Sequence, residues 1–349
     1  MRKDAAGLLQ KRECIASRLF VLSSAWVPVV DPRVIYVNDD RSKIISRTAF
    51  EALPGDEQKT FEPFPIEPEF YYNTRFGSPL AYARPLDLWC NALLSDSPKD
   101  PKTGLPTVEL VTLFNRKRIF DFGCGGVVHL QLLASNGADC VGVDVDPVLG
   151  ALFSEPGDTG AFAPVPVPTA NIGRDGSLNL VIGSWPGDEK IRTIVGTGFD
   201  LIISKNTLKN GYINPEPDVD PRLLVKLGVN NEVFVQSVAA SLNPGGYFLI
   251  YNLSPKQNPD DKPYMPWADG RSPFSREMLE AAGLEVIAFD TNDDAAAREM
   301  ARGLSWDQGT NPMNVDEDLF ALYTLAKKPV KPETHPSSKP RKNRPDRQA

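Results

Sequence analysis

Residues 119–147 read IFDFGCGGVVHLQLLASNGADCVGVDVDP, and no other stretch restricts the fold of the chain as tightly. A short apolar run ends in a cluster of glycines. An apolar stripe at helical spacing follows (Val127, Leu130, Leu133, Ala134), Gly137 stops it, and a second apolar run, DCVGVDVD, begins. Short continuous apolar runs between turns are strands covered on both faces, and two of them joined by a helix lie in parallel.

The same texture continues. SLNLVIGSW reads as a third strand and FDLIISKN as a fourth. NNEVFVQSVAASLNPGG is a helix with Val233, Phe234, Val238 and Leu242 on its stripe and a Pro-Gly-Gly stop. YFLIYNL is a fifth strand, SREMLEAAG a helix capped by Ser275, LEVIAFD a sixth strand and DLFALYTLA a seventh. No helix pattern separates the last two, so they are expected to pair antiparallel across a long polar connection. The prediction for residues 107–328 is an α/β domain with a doubly wound, mostly parallel seven-stranded sheet and an antiparallel last strand.

The flanks differ. Residues 1–60 hold no sustained periodicity and are expected to be a loosely ordered extension. Residues 61–106 are rich in proline and aromatic residues, with one helix around Leu86–Leu94. In a doubly wound sheet, ligands sit at the carboxyl ends of the strands. The 61–106 segment, with Tyr71, Tyr72, Phe76 and Tyr82, is therefore expected to act as a lid there. Residues 329–349 are predicted to be a disordered, basic, proline-rich tail.

Charge sharpens this division. The formal net charge is −7, but residues 327–349 carry eight Lys/Arg against two Asp/Glu, a net +6 that leaves −13 on the rest. Such a body is a poor match for a nucleic-acid backbone. Cys14, Cys90, Cys124 and Cys140 form no CxxC pair, which gives no zinc or redox motif, and no metal site is expected. The two histidines, His129 and His335, are too few for a histidine-rich metal centre. His129 reads as an interior or helix-surface residue. The stretch Leu19–Val30 imitates an export signal, but Asp4, Glu13, Arg18 and Pro28 interrupt the pattern, so a cytoplasmic location is expected over export, with no membrane span.

Glycines at a strand-to-helix turn let a ligand approach the backbone, and the following helix start offers free N–H groups. Asp144, at the tip of the second strand, stands where a carboxylate accepts hydrogen bonds from ribose hydroxyls. Together these describe a site for an adenosine-containing ligand. A dinucleotide fingerprint requires GxGxxG, whereas the chain reads GCGGVV from Gly123, with Val128 at the last glycine. A nicotinamide-dependent oxidoreductase is thus the weaker alternative, and Asp121 suits a ligand ammonium better than a pyrophosphate.

DFGCGG followed by VGVDVDP resembles the first two motifs of the class I S-adenosylmethionine-dependent methyltransferases. FDLIISKN resembles that family's fourth strand, SLNPGGYFLI the turn into its fifth, FSREMLEAAGLEVIAF its late helix and sixth strand, and DLFALYTLAKK its antiparallel seventh. The likeness spans about residues 107–328. It implies that Gly123, Cys124 and Gly125 form the loop against the methionine part of S-adenosylmethionine and that Asp121 holds the amino group. Asp144 would bind the ribose, with Val145 beside it. Ser184 and Trp185 would meet the adenine, and Ser204 and Asn206 would lie near the transferable methyl. Two positions depart from the family pattern: Val127 stands where a third glycine is frequent, and Ser184 where an Asp is frequent.

The resemblance implies in-line methyl transfer, which works mainly by proximity and leaves a dedicated base optional. No catalytic residue is assigned. Lys205, Asn206 and Tyr212 are candidate proton acceptors, and Lys205 and Lys209 could instead place a substrate carboxylate. The fourth strand ends in SKNT, without the Pro-Pro-aromatic or Pro-Cys signatures of nucleic-acid base methylation. A small-molecule acceptor is expected, a protein side chain second, and nucleic acid is disfavoured. A domain that binds the cofactor without catalysis is the other alternative.

Overall fold

The computed structural model describes residues 33–64, 79–104, 113–164 and 174–330. Tyr71, Tyr72 and Phe76 of the expected lid, and the tail from residue 331 onward, lie outside these residues.

The first described segment folds into a small antiparallel sheet of order β2-β1-β3, made of β1 (Ile35–Asn38), β2 (Ile44–Ser46) and β3 (Phe61–Phe64). The expectation of a loosely ordered extension over residues 1–60 is corrected for residues 33–60, while residues 1–32 lie outside the described residues. Strands of three or four residues are too short to register as periodicity, yet Ile35 and Val37 alternate inward and are buried. The Arg33 guanidinium ties this sheet to the main domain through Asp158 and the Leu152 carbonyl.

The main sheet has eight strands in the order β10-β11-β9-β8-β4-β5-β7-β6. These are β4 (Arg118–Phe122), β5 (Asp139–Asp144), β6 (Gly160–Phe162), β7 (Gly176–Ile182), β8 (Phe199–Lys205), β9 (Leu242–Ser254), β10 (Glu285–Asn292) and β11 (Phe320–Lys327). All seven expected strands are present, and β4, β5, β7, β8 and β9 run parallel. β11 is antiparallel to both β9 and β10. The eighth strand, β6, is a three-residue antiparallel addition at the β7 edge. This is a doubly wound, mostly parallel arrangement.

Side chains alternate across the strands into two cores. Ile119, Cys140, Leu178, Leu201, Ile203 and Leu249 face one side, beneath α1 (Ala83–Asp96), α2 (Val128–Ala134) and α3 (Pro147–Leu152). Phe120, Val141, Val181, Ile202 and Phe248 face the other, beneath α4 (Glu189–Val195), α5 (Asn231–Ser241) and α6 (Arg276–Ala281). On α5 the buried stripe is Phe234, Val235 and Val238, whereas Val233, expected in it, is exposed. Ser275 caps α6 by accepting from the Met278 N–H.

Two expectations change. The connection between β10 and β11 contains a helix, α7 (Asp294–Gly303), whose buried face is only Ala297 and Ala301. The helix is amphipathic, but its buried face is made of small alanines rather than the large apolar residues that mark the other helices, although alanine's helix propensity is high. The 61–106 segment, moreover, supplies part of the core. Its helix α1 buries Leu86, Trp89 and Cys90 within the first core, so the folded unit begins well before residue 107. Among the described residues, no helix is long and apolar enough to cross a membrane.

Candidate functional site

β5 and β7 lie to one side of β4, and β8 and β9 to the other. The chain thus reverses its winding at the carboxyl end of β4, and such a switch point opens a crevice for ligands. The glycine loop leaves β4 there, Asp144 ends β5, and Lys205 ends β8.

The loop is held from both sides. The Gly123 and Cys124 N–H groups donate to the Val143 carbonyl at 2.9 and 3.2 Å, and the Thr207 hydroxyl donates to the Gly123 carbonyl at 3.1 Å. Gly123 has φ +68°, and a Cβ there would lie 2.3 Å from the Thr207 hydroxyl oxygen. Gly125 has φ +60°, and a Cβ there would meet nothing within 4 Å. Its N–H donates to Asp144 Oδ2 at 2.9 Å, and the Asp146 N–H donates to Asp144 Oδ1 at 3.1 Å. Burial raises the Asp144 carboxyl, partly offset by these N–H donors. Val145 beside it is 67% exposed.

Asp121 is fully buried on the sheet face beneath α2. Its Oδ2 is 2.6 Å from His129 Nε2, while its Oδ1 has no hydrogen-bond partner. His129 comes from α2, and Tyr82 stacks on it with ring centroids 3.7 Å apart and planes 9° from parallel. The Lys205 amine lies over the Tyr82 ring, 4.7 Å from its centroid. All four side chains are buried. Burial lowers the His129 imidazole against the pull of Asp121, lifts the Tyr82 phenol well above its ordinary range, and brings Lys205 down to about 8.

Asp121, Gly123, Gly125, Asp144 and Val145 gather at this crevice. The other expected residues sit differently. The Cys124 side chain points into the first core, and burial raises its thiol. Trp185 is in the second core, edge-on to Phe120, Phe122 and Phe234, so its indole does not line the crevice. Ser204 is buried on the face opposite Asp121, and its hydroxyl is unpartnered. Asn206, at φ +67°, accepts from the Leu253 N–H at 2.8 Å and so braces β9. Ser184 follows Gly183, whose N–H donates to the Asp144 carbonyl, and is half-buried beside the Gly228 turn. Val127 is wholly inside the first core, so its side chain does not narrow the open side of the loop.

The Lys209 amine donates to the Leu253 and Trp267 carbonyls at 2.6 and 2.7 Å and to the Ser254 hydroxyl at 3.3 Å. With its three donors engaged, it fastens the loop after β9. Tyr212 is half-buried, with its phenol raised by burial. Tyr82, named from sequence among the aromatic residues of the expected lid, reaches this site as the ring stacked on His129. His129 and Thr207 also belong to the site and were not picked out from sequence, although Thr207 directly follows SKN.

S-adenosylmethionine fits the residues present. The orphaned, buried Oδ1 of Asp121 needs a donor, and Gly125 is open where a ligand would pass. Asp144 retains acceptor capacity beside Val145.

No family model matches the sequence, and a search of curated proteins finds no match. Solved structures resemble the fold at low identity. Phospholethanolamine N-methyltransferase 2 of Haemonchus contortus, in complex with phosphomonomethylethanolamine and S-adenosylhomocysteine, is 13% identical over 77% of this chain and 62% of its own, with a TM-score of 0.37. The CMeT domain of the citrinin polyketide synthase is 12% identical over 75% and 55%, with a TM-score of 0.36. The cyclase SpnF is 17% identical over 62% and 76%, with a TM-score of 0.34. One fold serves many chemistries, and what this chain does follows from its own side chains.

Proposed function

We propose that this chain transfers a methyl group from S-adenosylmethionine to a small-molecule acceptor. The observation that carries this reading is the pairing, across one switch-point crevice, of two carboxylates with different jobs. Asp144 is aligned by two backbone N–H groups beside an open glycine, and Asp121 is buried with one unpartnered oxygen.

Asp144 would accept from the ribose hydroxyls, Val145 would offer an apolar surface to the adenine, and Asp121 Oδ1 would take the ammonium. When bound, the cofactor supplies a methyl group activated by its sulfonium. The residues of the chain then have only to hold an acceptor in line with that methyl and keep water out. Lys205, at the end of β8, is the candidate to take a proton from the acceptor. The charge of −13 outside the basic tail supports a small acceptor over nucleic acid.

Calorimetry with S-adenosylmethionine and with NAD tests the reading. Binding of the first and not the second is expected, and Asp144→Ala should weaken it by roughly 10- to 100-fold, the worth of hydrogen bonds to a charged group. Affinity indifferent to Asp144 would defeat the assignment.

One observation favours a binding domain without catalysis. Asp121 is already paired with His129 and lies beside Tyr82 and Lys205, so the carboxylate is partly satisfied without a cofactor. Tight binding with no S-adenosylhomocysteine formed across panels of hydroxyl, amine and thiol acceptors would support that alternative.

A further inference from the structure

His129 is one of two histidines in the chain, and α2 carries it inside the fold. Its ring is fixed in two ways. Nε2 is 2.6 Å from Asp121 Oδ2, and Tyr82 covers one face with ring centroids 3.7 Å apart and planes 9° from parallel. Burial outweighs the pull of Asp121 and lowers the imidazole, so the ring is neutral near pH 7. A carboxylate only accepts, which puts the imidazole proton on Nε2. Oδ2 is thereby committed to His129, whereas Oδ1, equally buried, has no hydrogen-bond partner among the described residues. The last torsion of an Asp side chain is broad, and its two oxygens readily exchange places. With one oxygen tied to a stacked ring, they cannot.

We propose that His129 is a positioning residue of the cofactor site: by holding Oδ2 it fixes the plane of the Asp121 carboxylate and reserves Oδ1 for the ammonium of S-adenosylmethionine. It thereby sets how strongly the chain prefers adenosine ligands that carry the amino-acid portion. The inference rests on the cofactor reading above and extends it to a residue that acts only through Asp121. Tyr82 serves the same end one step further out, by holding the imidazole plane. Without the Nε2 proton the carboxylate would be buried with neither oxygen held by His129. It would turn freely and take up a proton, and a neutral acid is a poor partner for an ammonium.

The test is calorimetry of the full chain near pH 7 with S-adenosylmethionine, S-adenosylhomocysteine and 5′-methylthioadenosine, the last of which lacks the amino-acid portion. His129→Phe keeps a ring against Tyr82 and removes the donor, whereas His129→Gln gives up the ring and offers an amide N–H at similar reach. The Phe variant should bind the first two probes roughly 10- to 100-fold more weakly, the worth of hydrogen bonds to a charged group, and the third as the wild type does. The Gln variant should recover most of that loss. Equal losses for all three probes, no loss in the Phe variant, or a Gln variant weaker than the Phe variant would overturn the proposal while leaving the cofactor reading intact. Ring-nitrogen NMR of the wild type gives a reading that survives misfolding of either variant. The His129 signals should shift with S-adenosylhomocysteine and not with 5′-methylthioadenosine, and equal or absent shifts with both ligands bound would likewise overturn the proposal alone. Failure of all three probes to bind the wild type, or S-adenosylhomocysteine affinity indifferent to Asp121→Asn, would overturn both.

Discussion

Gly123 and Gly125 are two residues apart, both at positive φ, and they do different work. At Gly123 a side chain would collide with Thr207, whose hydroxyl pins the loop. At Gly125 the space is empty. Gly123→Ala should therefore lower stability by about 2–4 kcal/mol, combining backbone strain with a clash. Gly125→Ala should cost only about 1 kcal/mol of stability but should impair ligand binding, because the methyl enters the open side of the loop. Urea unfolding paired with calorimetry on both variants checks this. Equal stability losses would mean that the loop is not braced as described. The Asp121–His129 pair is a second residue-scale lesson. The motif pointed to Asp121, but its partner was legible only as a helix residue, since nothing in the spacing shows which face of α2 meets β4.

At the scale of elements, α1 decides what the segment before the glycine motif does. Trp89 is fully buried and packs at 6.0 Å, centroid to centroid, against Phe114. Arg84 donates to both oxygens of Asp293, at 2.8 and 2.6 Å, which itself accepts from Tyr251 on β9 at 3.0 Å. The helix is thus clamped by an ion pair at one end and an aromatic anchor along its length. Trp89→Ala should cost about 3–5 kcal/mol, as expected for a large core side chain replaced by a cavity. Truncation through residue 106 should yield a chain that fails to fold cooperatively. A cooperative thermal transition in that truncation would show that α1 is dispensable. Sequence could reveal the helix, through its leucines, but not its role. Proline and aromatic content suits a lid as well as a core layer.

At the scale of the molecule, the small N-terminal sheet is fastened to the rim of the large one. Arg33 reaches Asp158 and the Leu152 carbonyl, and Thr48 donates to the Glu155 carboxylate at 2.7–2.8 Å. Ile35 enters the first core. Removing residues 1–64 uncovers that apolar contact and leaves Asp158 without its guanidinium. Stability should fall by about 2–4 kcal/mol, from one buried aliphatic side chain and one partly exposed ion pair. Denaturant midpoints of the full and shortened chains measure it, and unchanged midpoints would show that the sheet is merely appended.

The alternation of apolar runs with helical stripes was sufficient for the α/β class, all seven principal strands and the antiparallel close, because burial on both faces imposes a local pattern. So was the position of the glycine loop and of Asp144, since a turn and a strand tip are local events. Strands of three or four residues, such as β1 and β6, escaped because their patterns are too short, and α7 escaped because its buried face holds only small alanines. Which side chains share the crevice was decided by folding alone. Tyr82, His129 and Lys205 meet Asp121 because β4 lies beside β8 in the sheet while α2 and the turn before α1 cover one face. Trp185, one residue from Ser184, is carried into the opposite core by the same geometry. Adjacency across a sheet depends on strand order and facing, and neither is written in the local spacing of residues.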